Sequence, residues 1–318
     1  MFIKVSAVVC TCNRGANLGD TILSLQKQDC DPRLYEVIIV DNNSTDNTKE
    51  VVEKFIKNSS VRMKYVFEEN IGLSNARNAG IKNSEGEIIA FIDDDAVARE
   101  DWISGIIRAF ESADFDCIGG DIEGDWHGNK PAWLTERLEG SLGVHFYGGK
   151  KKELKYPGEY PCGVNMAFKR KVFDKVGLFS AEFGRKGKSL LSREETELCY
   201  RVEKSGGKVG YFPGVVVKHV IVPDKLNKKW FRTRFYWEGK SQALMEFKHF
   251  DGKEFRDKTL YRIKISPVRV FNIIKTKLTG NNADAFLEEC VFLKDVGFVS
   301  MAVKQYVATL LMRKKSKV

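Results

Sequence analysis

The chain has 318 residues, 43% hydrophobic and 30% charged, with a net charge of +9 and a pI near 9.0. That length supports one large core or two smaller ones, and the basic balance suits a phosphate-bearing ligand, an anionic membrane surface or nucleic acid. Seven cysteines without paired spacing, and no second Cys/His pair beside Cys10 and Cys12, argue against a disulfide framework or a zinc module and read as reduced thiols of a cytosolic protein. No signal peptide is expected, because Met1 leads directly into a strand pattern. No spanning helix is expected either: the nearest candidate, Val296 to Met312, is short and broken by Lys304 and Gln305.

In chain order, Val5 to Thr11 is an apolar, β-branched run that reads as a central strand, and Leu18, Ile22 and Leu25 carry helical spacing over 18–28. Tyr35 to Val40 is a second strand, ending on Asp41-Asn42-Asn43-Ser44-Thr45-Asp46, and Thr48 to Ile56 is helical. Met63 to Phe67 is a third strand, Leu73 to Ile81 a helix, and Ile88 to Ile92 a short buried strand that runs into Asp93-Asp94-Asp95. Strands alternating with helices predict βαβ units and a mostly parallel sheet, with ligands held outside the carboxyl ends of the strands. Thr11 to Arg14, Asp41 to Asp46 and Asp93 to Asp95 lie at those ends, and Asn70 to Asn78 lies at a helix start.

Three adjacent carboxylates repel one another. Either they form a solvated, helix-capping loop, or a cation such as Mg²⁺ or Mn²⁺ holds them beside a substrate phosphate. No Gly-x-Gly-x-x-Gly follows the first strand and no Gly-Lys-Ser/Thr loop occurs, which weighs against dinucleotide oxidoreductases and P-loop NTPases.

Three ordered motifs carry a resemblance: Val40 to Asp46, Asn70-Ile71-Gly72-Leu73-Ser74-Asn75-Ala76-Arg77-Asn78-Ala79-Gly80, and Phe91-Ile92-Asp93-Asp94-Asp95. Together they resemble the family 2 glycosyltransferases of the GT-A fold, over roughly residues 5–222. The resemblance implies an α/β, Rossmann-like, mostly parallel sheet flanked by helices, and an inverting transferase that uses a nucleotide-diphospho-sugar and Mn²⁺ or Mg²⁺. By position, Thr11 and Asp41 would border the base, with Asn13, Arg14 and Asn70 among the donor-binding residues. Arg77 would lie near the base or diphosphate, Asp93 and Asp94 would face ribose and phosphates, and Asp95 would bind the metal with Asp93, in the manner of an Asp-x-Asp motif. Asn42 stands where many relatives have a second Asp; its amide can still read a base edge, but base preference is less defined. Without the resemblance, Asp41 to Asp46 is a turn with a helix cap, and Arg77 a surface charge.

Further on, Trp102 to Phe110 is helical, Phe115 to Ile122 reads as a strand, and residues 126–160 form an irregular stretch of the kind usually functional or mobile. In it, Trp126 or Trp133 would either stack on a sugar or pack in a core. By the resemblance, Gly163 and Asn165 in Pro161 to Phe168 would border the donor sugar. Ser192-Arg193-Glu194-Glu195 reads as a helix start with a Ser-x-x-Glu capping box. The family places its Glu-Asp motif here, which makes Glu195 the general base. Val209 to Phe212 and Val215 to Val217 are short strands before His219, which is either structural or, as in some GT-A enzymes, a metal ligand.

Residues 223–318 read as a helical, basic and aromatic extension, after a 1–222 transferase domain divided into nucleotide-binding (1–97) and acceptor or catalytic (98–222) halves. Stretches 225–248 and 265–318 combine aromatic or apolar residues with Lys and Arg, and the chain ends in the basic run Arg313 to Lys317. They suggest peripheral contact with an anionic leaflet, on the cytoplasmic face of the cell membrane, and so a lipid-linked or glycan acceptor. The reading is an inverting glycosyltransferase with UDP the first-choice nucleotide, working in cell-surface polysaccharide or glycolipid synthesis, with no nucleic acid in its main site. Its rivals are a nucleotide-sugar-forming nucleotidyltransferase, which lacks its usual Gly-rich phosphate loop here, and a non-catalytic nucleic-acid or membrane-binding protein.

Overall fold

The computed structural model describes residues 2–187 and 189–315, with the side chains of 313–315 excepted. Two compact units emerge: residues 1–126, 143–188 and 194–220 in the first, and 127–142, 189–193 and 221–318 in the second. The basic run Arg313 to Lys317 therefore lies outside the residues whose side chains are described.

The first unit begins with three βα steps and a fourth strand: β1 (Val5–Thr11), α1 (Leu18–Gln26), β2 (Tyr35–Asp41), α2 (Thr48–Lys57), β3 (Arg62–Phe67), α3 (Leu73–Asn83) and β4 (Ile88–Asp93). It continues through β5 (Ala96–Ala98), α4 (Trp102–Ser112) and β6 (Cys117–Trp126). After α5 (Glu136–Glu139), which belongs to the second unit, come β7 (Lys152–Leu154), β8 (Asn165–Lys169), α6 (Lys171–Val176), α7 (Glu194–Lys204) and β9 (Val209–Ile221). The sheet runs β3-β2-β1-β4-β8-β6-β9-β5, with β7 paired to β9. Strands β3, β2, β1 and β4 are parallel, as the βα alternation predicts, and β8 switches direction by pairing antiparallel to β4. This is the mixed, mostly parallel, helix-flanked sheet expected from the sequence.

Strands β1 and β2 are buried along their whole length apart from Cys10, which accounts for their unbroken apolar, β-branched runs. One face packs on α1 and α4 through Ile22, Leu25, Trp102 and Ile106; the other packs through Val8, Ile38, Phe91 and Phe168. On that second face α3 lies close because its residues are small: a Cβ on Gly80 would come within 2.4 Å of Val8 Cγ1. What read as two short strands is one strand, β9, in which Pro213 and Gly214 mark the change of partner from β7 to β5. Gly214 takes φ 94°, open to glycine at little cost.

The second unit is built on three helices: α8 (Lys228–His249), α9 (Gly252–Leu278) and α10 (Asn282–Lys315). Helix α9 is capped at its start by Asp251, which accepts from the Lys253 and Glu254 amides at 2.8 Å each. Helices α8 and α10 touch backbone to backbone at two glycines: a Cβ on Gly239 would sit 1.9 Å from Lys294 O, and one on Gly297 1.9 Å from Tyr236 O. Residues 127–142, expected to be loop-like, are part of this unit's core. Trp133 lies edge-on to Phe231 and Phe286 at 5.3 and 5.0 Å, so its ring is a packing element and not a sugar platform. Of the aromatic residues of 225–248, Phe231 is buried, Trp230, Phe235, Tyr236, Trp237 and Phe247 are half-buried, and none is exposed.

In the second unit the half-buried Glu238 meets Arg193, Lys294 (3.5 Å) and Arg234 (4.0 Å). Burial opposes its ionised form, yet the three cations outweigh it and hold the carboxyl far below its usual range. A carboxyl with a depressed folded-state pKa contributes its stability above the unfolded value of about 4.3 and loses it as pH falls toward the folded value. We expect the stability advantage of the wild type over Glu238→Gln to be full at neutral pH and to shrink steadily below about pH 4, as read by urea unfolding across pH. An advantage independent of pH would contradict this.

Candidate active site

Register brings the polar clusters together. Thr11 is opposite Asp41 across β1 and β2, and Cys10 is opposite Asp93 across β1 and β4. Asp94 turns inward: Thr11 Oγ1 donates to its Oδ2 at 2.7 Å and Thr21 Oγ1 to its backbone carbonyl at 3.0 Å. Burial is the main cause that lifts the Asp94 carboxyl to about 6, with Arg14 opposing the shift.

Asp95 is held from two sides. Arg14 Nη1 lies 3.3 Å from its Oδ2, and His219 Nε2 lies 3.0 Å from its Oδ1. Strand β5 explains the second contact, since Ala96 is registered opposite His219 and the Val220 amide donates to Asp95 O at 2.9 Å. His219 is 5% exposed, and its Nδ1 is buried without a hydrogen bond. Gly143, at φ 81°, makes room beside that nitrogen, where a Cβ would come within 3.0 Å. Donor atoms of Asp93, Asp95 and His219 all lie within 4.8 Å of one another. Two carboxylates and an imidazole nitrogen this close form a donor set that fits a divalent cation.

The loops after β1 and β2 are clasped together. Asn13, at φ 53°, accepts from the Thr45 amide at 2.7 Å and its own amide donates to Ser44 Oγ at 2.8 Å. Asp41 accepts from the Ser44 amide (2.9 Å) and from Tyr65 OH (2.7 Å). Asn42 bridges to the turn that carries Asn70: its Nδ2 donates to Glu68 O and Asn70 O at 3.1 and 2.9 Å, and its Oδ1 accepts from the Gly72 amide at 2.7 Å. That amide is occupied by backbone, so Asn42 acts on the site by fixing the 68–72 turn and not, in this conformation, by reading a base edge.

Arg77 is not a surface charge. It is 3% exposed and extends from α3 beneath the end of β4. Its Nη1 donates to Glu194 Oε1 at 2.9 Å, while its Nη2 approaches Gly163 O at 3.4 Å and Asp93 Oδ1 at 3.7 Å. The rings of Phe91 and Phe179 lie 5.9 and 5.5 Å from the guanidinium. Burial pulls the Arg77 pKa down, but the carboxylates of Glu194, Asp93 and Glu195 outweigh it and keep the cation firmly charged. Gly163 is required sterically: a Cβ there would stand 2.5 Å from Arg77 Nη2. Arg77 therefore links a carboxylate of the possible metal site to the first turn of α7, which carries Glu194 and Glu195.

Two expectations change. Asn165 is 1% exposed and its amide is saturated inside the sheet, accepting from Trp102 Nε1 (2.9 Å) and donating to Asp121 O and Val215 O (3.0 and 2.9 Å). It stitches the sheet and does not border an open donor site. Nor does Ser192 form the expected capping box: Arg193 takes a left-handed step (φ 74°) before α7 begins at Glu194, and the Ser192 hydroxyl lies 3.5 Å from Ser241 Oγ and Glu238 Oε2. Glu194 was overlooked. Its signal was a helix, α3, whose buried residues are small apart from Ile81 and one arginine, which demands a buried acid elsewhere.

Comparison with known proteins agrees with the fold and the motifs. The model of Glycosyl transferase family 2 matches residues 6–177. A glucosyl-dolichyl phosphate glucuronosyltransferase of Haloferax volcanii is 30% identical over 277 residues, 86% of this chain and 86% of its own. The chain belongs to glycosyl transferase family 2. Among solved structures, a mannosyltransferase of Pyrobaculum calidifontis in complex with GDP-Man and Mn²⁺ matches with TM-score 0.63 and 15% identity, over 96% of this chain and 87% of its own. TarS of S. aureus matches with TM-score 0.54 and 16% identity over 94% of this chain, which spans 55% of the TarS chain; a structure of its residues 1–349 holds UDP-GlcNAc. At these identities the two structures establish the GT-A fold and nothing finer.

Removing Arg77 leaves Glu194 buried and unpaired, a loss of about 3–5 kcal/mol by the general cost of breaking a buried pair. We expect Arg77→Met to lower stability by that order and Arg77→Met/Glu194→Leu to recover most of it, in chemical denaturation. Equal losses in the single and double variants would show that the pair is not the cause.

Proposed function

We propose that the protein is an inverting glycosyltransferase that moves a sugar from a nucleotide-diphospho-sugar, with UDP the first candidate, to a lipid-linked or glycan acceptor. The observation that carries the reading is the convergence of Asp93, Asp95 and His219 at the end of β4, joined through Arg77 to the helix that bears Glu195. Residues 1–97 would hold the nucleotide and 98–222 the acceptor and the chemistry, and 223–318 would serve contact with the membrane. The relative that acts on a glucosyl-dolichyl phosphate, by its name, supports a lipid-linked acceptor and glycolipid synthesis.

Asp93, Asp95 and His219 would hold the divalent cation; the imidazole favours Mn²⁺ over Mg²⁺, which prefers oxygen alone. Such a cation supplies neutralisation of the charge on the departing diphosphate. Thr11, Asp41 and the clasped Asn13 loop would frame the nucleoside, Arg14 would face its phosphates with the inward-turned Asp94 supporting Thr11, and Asn70 would border it from the α3 side. Glu195 would take the proton of the acceptor hydroxyl as its oxygen attacks C1. The bond from C1 to the diphosphate oxygen breaks in the same step, and the nucleoside diphosphate leaves with the bonding pair. Attack opposite the leaving group inverts C1 without a covalent enzyme intermediate. Arg77 neither donates nor receives a proton in this scheme; it positions Asp93 and the first turn of α7.

Glu195→Ala should reduce transfer about 10²–10⁴-fold with donor affinity retained, as expected for loss of a general base. Asp95→Asn should lose nucleotide affinity in the presence of metal. Near-normal turnover of Glu195→Ala at saturating donor would remove Glu195 from this role.

A further inference from the structure

Helix α9 has two faces of opposite character. Its inner face is fixed: Phe255 packs on Phe247 and Phe298, and Arg262 and Arg269 both bond Asp295 of α10 at 2.6 Å. The outer face carries a stripe at spacings of three or four: Leu260, Ile263, Pro267, Phe271, Ile274 and Leu278. These side chains are exposed, Phe271 by 63% and Leu278 by 83%. An apolar ridge along five turns, roughly 27 Å by helical rise, is more than the scattered exposure that soluble surfaces tolerate.

Charge identifies the occupant. Lys264, Lys275 and Lys277 are exposed beside the stripe, and the sequence from Lys258 to Leu278 contains no Asp or Glu. A second copy docked through this ridge would set lysine against lysine, whereas paired helices place opposite charges beside their seam. No helix among the described residues is long and apolar enough to cross a bilayer. An apolar stripe between lysines does fit the boundary of an anionic leaflet, with the ridge among the acyl chains and the ammonium groups at the phosphates.

We propose that the 260–278 face of α9 is a membrane-binding surface for anionic lipid, on which the protein lies without spanning. This narrows the contact suggested by the sequence: the aromatic side chains of 225–248 are buried or half-buried, and α9 supplies the exposed apolar ridge. The inference deepens the lipid-linked reading of the acceptor and rests on it for its purpose, but its test has its own readout.

The 318-residue chain would be sedimented with vesicles of phosphatidylcholine alone and of phosphatidylcholine with phosphatidylserine. We expect binding to the anionic vesicles that weakens with salt, and a loss of about tenfold or more in Phe271→Ser/Ile274→Ser, in keeping with the apolar area removed. Lys275→Glu/Lys277→Glu should lose anionic selectivity. All four positions are exposed, so melting temperatures should stay unchanged, and the lysine variant tests the surface if the apolar one misfolds. Absence of vesicle binding, or binding unaffected by either variant, would overturn the proposal. So would a concentration-dependent dimer that Phe271→Ser/Ile274→Ser abolishes without any vesicle binding. Nucleotide binding by the unmutated protein, followed in parallel, separates the two readings: nucleotide binding without vesicle binding refutes only the surface, and vesicle binding without nucleotide binding refutes only the transferase.

Discussion

Everything at the candidate site depends on how the repulsion among Asp93, Asp94 and Asp95 is relieved. Each carboxylate has a different solution. Asp94 turns into the fold and is tied by Thr11, Asp95 is shared between Arg14 and His219, and Asp93 faces Arg77 from 3.7 Å. Arg77 and Arg14 reach the cluster from different loops and helices, so the local electrostatic problem ties together elements far apart in sequence. The positions of Asp93, Asp95 and His219 leave a donor set suited to one divalent cation, whose charge would complete the compensation.

The parallel half was readable from the sequence because it obeys local rules. Apolar β-branched runs separated by amphipathic helices lead to β1, β2 and β4, and polar residues at their carboxyl ends mark the ligand edge. The ordered motifs also pointed to the family, to which the chain belongs. What escaped depends on long-range pairing. The proximity of His219 to Asp95 is created by a three-residue strand, β5, too short for periodicity to reveal. Asn165 looks like a site residue by position but lies where three strands need a buried amide, a demand that appears only once the sheet is assembled. Asn42 likewise holds a turn through groups 26 and 30 residues away.

The second unit shows the same limit on helices. Aromatic and basic residues in α8 suggested an exposed surface, but Gly239 and Gly297 bring α8 and α10 into backbone contact and Trp133 closes over Phe231 and Phe286. Apolar content alone could not tell this helix from α9. The deciding feature is which face meets a partner: α9 satisfies its inner arginines on Asp295 and turns its apolar ridge outward.

The most direct test of the central claim is calorimetric titration of the protein with UDP, GDP and CDP, each with Mn²⁺ and with chelator. The account predicts that one nucleoside diphosphate binds with Mn²⁺ and that chelation abolishes the binding. Binding of none of them, or binding indifferent to chelation, would contradict a cation held by Asp93, Asp95 and His219 at a nucleotide-sugar site.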